Sequence, residues 1–405
     1  MFDASTGVEE LARTFNIWDP ALNDDPYPVL QELQSKCPVA HSDELGGYWF
    51  VTSYEHVHQV FSDPATFSSR ILQLPPPADP PVLIPETLDP PGHTAYRHVM
   101  SPTFSPRAVE GMEAGIRKRV RELLTNFAAA GGGDFVGDVA LPLPSGVFLQ
   151  TLGLPWADLD KMLAFRDALM RDMASTEPAV AEHATNVVIP ATSQYLAEAI
   201  ASRRSSDDPP EDLLTAMVTG DLAVDGGRKM TDEEIINACF LLVAAGLDTV
   251  TAVLAKSVGT LAVRKDLLQQ LVDDPELIPG ATEEFLRYWS LVSTCRQAKT
   301  DTSLGGASIK AGEIVNVCTP AASRDPKEFT DPDKVDFHRS PNRHLAFGAG
   351  PHRCIGSHLA RTEIRVTLEE LVSIMPEFEL DPDEPPLRRF GQVLGVDRLV
   401  LRVRQ

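Results

Sequence analysis

Cysteine is scarce in this chain. The five present, Cys37, Cys239, Cys295, Cys318 and Cys354, fall at no paired spacing. That excludes a disulfide framework and fits a reducing compartment. Positive charge is also short: 36 Lys and Arg face 58 Asp and Glu, a net charge of −22 with a pI near 4.8. So acidic a surface argues against nucleic acid and anionic membrane as partners. Long apolar runs are missing too. The longest, Ala238–Leu247, is followed by Asp248 and is too short to cross a bilayer. The opening Met-Phe-Asp-Ala-Ser has neither the basic region nor the apolar core of a secretory signal. The expectation is a soluble cytoplasmic protein. There are no internal repeats and no low-complexity tail.

What is abundant is proline, 33 in all, eight of them between Pro75 and Pro91. Residues 1–20 read as a loosely held arm. Asp25 to Lys36 and Ser53 to Phe61 read as helices, and Tyr48 to Thr52 as a strand between them. Ser69 to Leu88 is proline-rich yet apolar, which forbids a regular helix and predicts a packed loop. Asp89-Pro90-Pro91 looks like a helix start with Asp89 as N-cap. His93 and Arg97 then share one face at i, i+4. Helical patterns dominate from Ala108 to Pro190, interrupted at Gly131-Gly132-Gly133, and Ser202 to Asp212 reads as a charged, flexible loop. Arg117, Lys118, Arg119 and Arg121 form a local basic patch, which Arg107, Arg353 and Arg361 could extend toward an acidic partner.

Thr231-Asp-Glu-Glu is a capping box that opens a helix running to about Val263. In its middle, Ala245 and Thr249 share a face and Asp248 borders it. An aspartate inside an apolar helix is costly unless it has partners or work. Farther on, Glu284 and Arg287 stand at i, i+3. Gly306 to Val317 reads as a hairpin, and the last strands fall near Val393-Leu394 and from Leu399 to Val403.

The most informative stretch runs from His344 to Arg361. Ile355, Leu359, Ile364, Leu368, Leu371 and Ile374 recur at helical spacing, a helix of about five turns. Cys354 therefore falls at a helix N-terminus, where free N–H groups favour a thiolate. A buried, inert cysteine would fit the same position. A zinc site from His352, Cys354 and His358 would lack a fourth ligand. Over the whole window, Phe347, Gly348, Gly350, His352, Cys354 and Gly356 fill the pattern Phe-Gly-x-Gly-x-His-x-Cys-x-Gly. That window resembles the haem-binding loop of the cytochrome P450 family.

The resemblance extends from about Asp25 to the C-terminus and brings roles with it. Cys354 would be the thiolate ligand of the iron of haem b, iron protoporphyrin IX. Gly348, Gly350 and Gly356 would let the backbone approach, and Phe347 would shield the sulfur. His93, Arg97, Arg296 and His352 would hold the propionates. Ala245 would leave room for dioxygen, with Asp248 and Thr249 as the catalytic pair that delivers protons. Glu284, Arg287 and Arg339 would form a structural clamp behind the cysteine loop. Leu241, Ala244, Ala245, Thr249, Val292, Val393 and Leu394 would wall the substrate pocket.

The implied fold is mainly α with a smaller β-rich lobe, in one domain of residues 1–405. The β-rich lobe would come mainly from 25–70, 290–320 and 385–405. Haem would lie between the long central helix and the helix after Cys354. The implied function is a haem-thiolate monooxygenase inserting one atom of O2 into a C–H bond of a hydrophobic small molecule. Its electrons would come from an iron-sulfur ferredoxin and its reductase, and the enzyme would be a monomer. Leu241 to Val250 and Ser290 to Val292 resemble the camphor hydroxylase branch of that family, and His93 to Arg97 the terpineol hydroxylase branch. A terpenoid is the first expectation; steroid, fatty acid and aromatic substrates remain open. A peroxide-driven oxygenase, and a haem sensor or carrier without turnover, are the competing readings. Neither would need Asp248 and Thr249.

Overall fold

The segment with the strongest cap signal becomes the axis of the molecule. The computed structural model describes residues 7–175, 177–224 and 226–404. In it Asp232–Val263 is one helix of 32 residues, about 48 Å long at 1.5 Å per residue. Thr231 and Glu234 exchange the two hydrogen bonds of the capping box, which satisfies donors that the first turn would leave orphaned. Helices Pro142–Leu152, Leu159–Met170, Ile189–Arg204 and Ser357–Ile374 pack against it. Among the described residues this is the one helix long and apolar enough to cross a membrane. It is instead a core helix, with Ile235, Cys239, Leu247, Leu254, Val258 and Leu261 fully covered.

Helix Ser357–Ile374 lies along Pro106–Ala129, and charge ties the two together. Arg117 donates to Glu113, Glu369 and Glu370, Arg121 to Glu370, and Arg365 to Glu113 and Glu369. The β-rich part is a five-stranded sheet in the order Val39–Ser42, Tyr48–Val51, Ile314–Cys318, Ser293–Ala298, Phe67–Ser68. Its pairings are antiparallel except for Tyr48–Val51 with Ile314–Cys318. The fold is mainly helical with a smaller β region, as expected.

Several local expectations need correction. Within the arm, residues 1–6 lie outside the described residues. Its remainder is anchored: Val8–Arg13 is helical, and Phe15 and Ile17 are buried, with Phe15 stacked 4.4 Å from Phe50. Asp89 does not cap the helix Gly92–Met100, whose N-cap is Pro91. Its carboxylate accepts from the Ser69 amide and pairs with Lys299, so it ties down the proline-rich loop instead. The glycines at 131–133 do more than break a helix: Gly132–Asp134 is a strand pairing with Val400–Val403. A Cβ on Gly132 would sit 2.1 Å from the Leu401 carbonyl oxygen. Residues 202–212 are not a free loop either. The preceding helix runs to Arg204, and Arg203 makes a buried ion pair with Asp212, which caps the next helix.

Candidate active site

Cys354 stands two residues before Gly356, the N-cap of helix Ser357–Ile374. Its amide donates to the Phe347 carbonyl at 2.9 Å, which closes the loop onto itself. Gly348 and Gly350 take φ of +65° and +67°, and a Cβ on Gly350 would lie 2.2 Å from the Phe61 carbonyl oxygen. Only glycine fits there. Phe347 is half-buried, with the Arg361 guanidinium 4.6 Å above its ring.

The Cys354 thiol is raised above its ordinary range. Protein crowded around it opposes the charge more than the Gly356 amide, Arg97 and Arg353 favour it, and Glu86 opposes it further. Cys354 is itself exposed, so that burial comes from the surrounding loop, and a metal cation bound at the sulfur would favour the thiolate against this shift.

Beside the loop lies a cluster of buried donors. His93 and His352 stack with ring centroids 3.9 Å apart, and all four ring nitrogens lack a hydrogen-bond partner. Burial and the neighbouring His352 and Arg97 push His93 down to about 4. Arg296 is 3% exposed and reaches the Cys295 carbonyl oxygen, while Arg97 donates to the Arg353 carbonyl oxygen at 2.9 Å. Glu86, at the end of the proline-rich loop, is 3.7 Å from His352 and 3.9 Å from Arg296. Both gaps are too long for hydrogen bonds. Orphaned imidazoles in a buried, positive site fit a group that carries carboxylates. The donor set thus fits haem, which would set its propionates at this cluster and its iron at Cys354.

On the central helix, Ala245 is exposed and Leu241, Ala244, Asp248 and Thr249 are half-buried, while Leu242, Val243, Leu247 and Val250 between and beyond them are covered. These five positions form one stripe at helical spacing. Thr249 Oγ1 donates to the Ala245 carbonyl at 3.0 Å. Asp248 accepts from Arg389 at 3.0 Å and lies 3.5 Å from Arg166. Val292 and Val393 meet in an isolated antiparallel bridge, both half-buried. Leu394, by contrast, is buried and lines a different cavity, described below.

Behind the loop, Arg287 and Glu284 are both fully buried and share two 2.8 Å hydrogen bonds. Arg339 donates to both Glu284 oxygens, and Asn342 and the Asp336 amide complete the shell. Arg287 also donates to the carbonyls of Ser323, Pro332 and Lys334. The chain from 323 to 342 is thereby fixed just ahead of the cysteine loop. Next door, burial alone would raise Glu283, but His344 on the loop and Arg361 on helix Ser357–Ile374 hold it down at about 2. Sequence reasoning missed Glu86, Arg166, Arg389, Glu283 and Asn342. Each acts across the fold, and no local pattern marks it.

A cysteine loop, a cradle of unpaired imidazoles and a helix carrying an acid and an alcohol define a haem-thiolate monooxygenase. The chain belongs to the cytochrome P450 family. The model of that family, Cytochrome P450, matches residues 161–398. The mycinamicin IV hydroxylase/epoxidase of Micromonospora griseorubida is 35% identical over 392 residues, 95% of this chain and 96% of that protein. The erythromycin C-12 hydroxylase of Saccharopolyspora erythraea is 36% identical, covering 87% of this chain and 88% of its own. Among solved structures, CYP101J2 superposes with a TM-score of 0.86 at 29% identity, covering 97% of this chain and 98% of that one. CYP109E1 from Bacillus megaterium in complex with testosterone gives 0.83 at 28% identity, covering 94% and 100%. The protein is thus a haem-containing P450 monooxygenase of the bacterial type, acting on small molecules.

Proposed function

We propose that this enzyme inserts one oxygen atom of O2 into a C–H bond of a hydrophobic substrate, with a terpenoid as the first class to test. Haem, when bound, supplies dioxygen activation. The chain's own residues do the rest. Cys354 would hold the iron, Gly348, Gly350 and Gly356 would admit the ring, and His93, Arg97, Arg296 and His352 would take the propionates. Asp248 and Thr249 would deliver protons beside small Ala245, which leaves room for dioxygen. Glu284, Arg287 and Arg339 keep the loop in register.

The observation that carries the reading is the uncovered stripe on the central helix, which presents the acid and the alcohol together. The pocket walls are aliphatic: Leu241, Ala244, Ala245, Val292 and Val393, with no charged anchor among them. That composition supports an apolar ligand. Electrons come from a separate ferredoxin and its reductase, in the cytoplasm, and the enzyme works as a monomer. The basic patch foreseen for docking is mostly spent, since Arg117, Arg121 and Arg361 are paired with glutamates. Arg107 and Arg353 remain exposed near the cysteine side.

The test is an optical titration of the ferric enzyme against terpenes, steroids, fatty acids, small aromatics and erythromycin-like compounds. A low-spin to high-spin Soret shift with a terpene supports the terpenoid class. A shift confined to another class replaces it. No shift with any apolar compound, despite a normal thiolate carbonyl spectrum, overturns the hydrophobic-substrate reading.

A further inference from the structure

A cavity of about 390 Å3 opens between the start of helix Tyr27–Lys36, the second half of the central helix, Tyr288-Trp289 and the hairpin of strands Leu387–Arg389 and Gly395–Arg398. Four basic side chains line it: Lys256, Arg324, Arg388 and Arg389. Lys256 projects from an apolar helix. Among the described residues its ammonium makes no hydrogen bond or ion pair, and it sits 4.9 Å from the Trp289 ring centroid. Arg388 reaches the Asp24 carbonyl oxygen at a long 3.4 Å, which leaves most of its donors free. Arg324 is stacked 3.4 Å from Tyr27 and 3.7 Å from Tyr288, as a rigid cationic wall.

Three carboxylates also line the cavity, and among the described residues none of them forms an ion pair with Lys256 or Arg388. Asp25 accepts from the Tyr27 amide, and Asp333 is held by Gln31 and lies 3.5 Å from Arg324. Asp24 contributes a backbone oxygen to Arg388. The consequence shows at Lys256, which is pushed down to about 7. Burial is the main cause, and repulsion from Arg388, Arg324 and Arg389 outweighs attraction to Asp25. An unpaired ammonium in such a place is costly unless an anion meets it.

We propose that this cavity is a binding site for a small oxyanion, a carboxylate or phosphoryl group that hydrogen-bonds Lys256 and Arg388 beside the Trp289 ring. It is separate from the aliphatic substrate walls. One residue connects the two: Arg389 lines the cavity and donates to Asp248 and to Asp397. An anion that draws Arg389 toward the cavity weakens its hold on Asp248, so occupancy is felt at the central helix.

The experiment is isothermal titration calorimetry of the haem-loaded enzyme with inorganic phosphate and with citrate, at an ionic strength fixed with chloride. Saturable 1:1 binding of either anion is expected, weakened at least tenfold by Lys256→Met and by Arg388→Gln. Both variants should keep the wild-type thiolate carbonyl spectrum, which shows that they fold. Phosphate binding alone assigns a phosphoryl ligand, and citrate binding alone a carboxylate. Binding of neither, or binding that both substitutions leave unchanged, overturns the proposal.

Discussion

Asp248 is placed where its charge is held but not quenched. Two guanidinium groups reach it from different parts of the chain, Arg389 at 3.0 Å and Arg166 at 3.5 Å, and its side chain is 14% exposed. Both partners reach the carboxylate from outside the largely apolar helix that carries it, and a small part of it stays open to solvent. Removing the charge while keeping the shape isolates the proposed proton delivery. Asp248→Asn should lower dioxygen-supported turnover about 100-fold, the low end of what a positioned proton donor contributes. Peroxide-supported turnover should stay near wild type, because peroxide brings its own protons. Equal loss in both assays would assign Asp248 to structure rather than proton transfer. Ala245, Asp248 and Thr249 could be read in the sequence as a motif, whereas the two arginines that hold the aspartate could not. They lie 82 residues before and 141 residues after it by numbering, and only the fold brings the three together.

At the scale of elements, two helices carry buried acids with opposite fates. Glu284 on Ile278–Tyr288 is fully buried and saturated by Arg287, Arg339, Asn342 and a backbone amide. Breaking such a pair leaves uncompensated buried charge and costs about 3–5 kcal/mol. Glu284→Gln should therefore lower the unfolding free energy by that amount and loosen haem retention. Retained haem in a fully stable variant would contradict the clamp. The Glu-x-x-Arg spacing was legible from sequence because both residues share one helix turn. Glu363 on Ser357–Ile374 is the contrast, buried with nothing to balance it, and burial raises it to about 8. The folded state keeps this proton up to about pH 8, while the unfolded chain releases it near 4.5. Stability from this group is thus present below pH 4.5 and lost as pH rises toward 8. Glu363→Gln should melt higher than wild type at pH 8, with the gap shrinking toward pH 5. A gap independent of pH would show that the carboxyl does not titrate there.

On the scale of the whole molecule, motifs along the chain announced the helices, the cysteine loop and the fold class. What stayed hidden was everything set by distant pairing. Phe15 buries against Phe50 because Val39–Ser42 and Tyr48–Val51 fold back over it. Gly132–Asp134 becomes a strand only because Val400–Val403 arrives beside it. The same limit applied to charge. Composition gives −22 overall, and a run of arginines looked like a docking patch until Glu113, Glu369 and Glu370 came to meet it. An acidic electron carrier approaching so acidic a protein is repelled except where unpaired positive charge faces it. If the proposed ferredoxin is the electron donor, Arg353 is one such place: exposed, one residue from the cysteine, its hydrogen bond going to Ser357 rather than to a carboxylate. Arg353→Glu should raise the KM for ferredoxin about tenfold and leave the substrate-induced Soret shift untouched. The defect should shrink as salt screens the new repulsion over a Debye length of about 8 Å at physiological ionic strength. If the KM is unchanged while Arg107→Glu raises it, docking is centred on the start of helix Pro106–Ala129 instead. A Soret shift lost together with the KM effect would mean that the substitution disturbed the cysteine loop itself, and the docking assignment would fall.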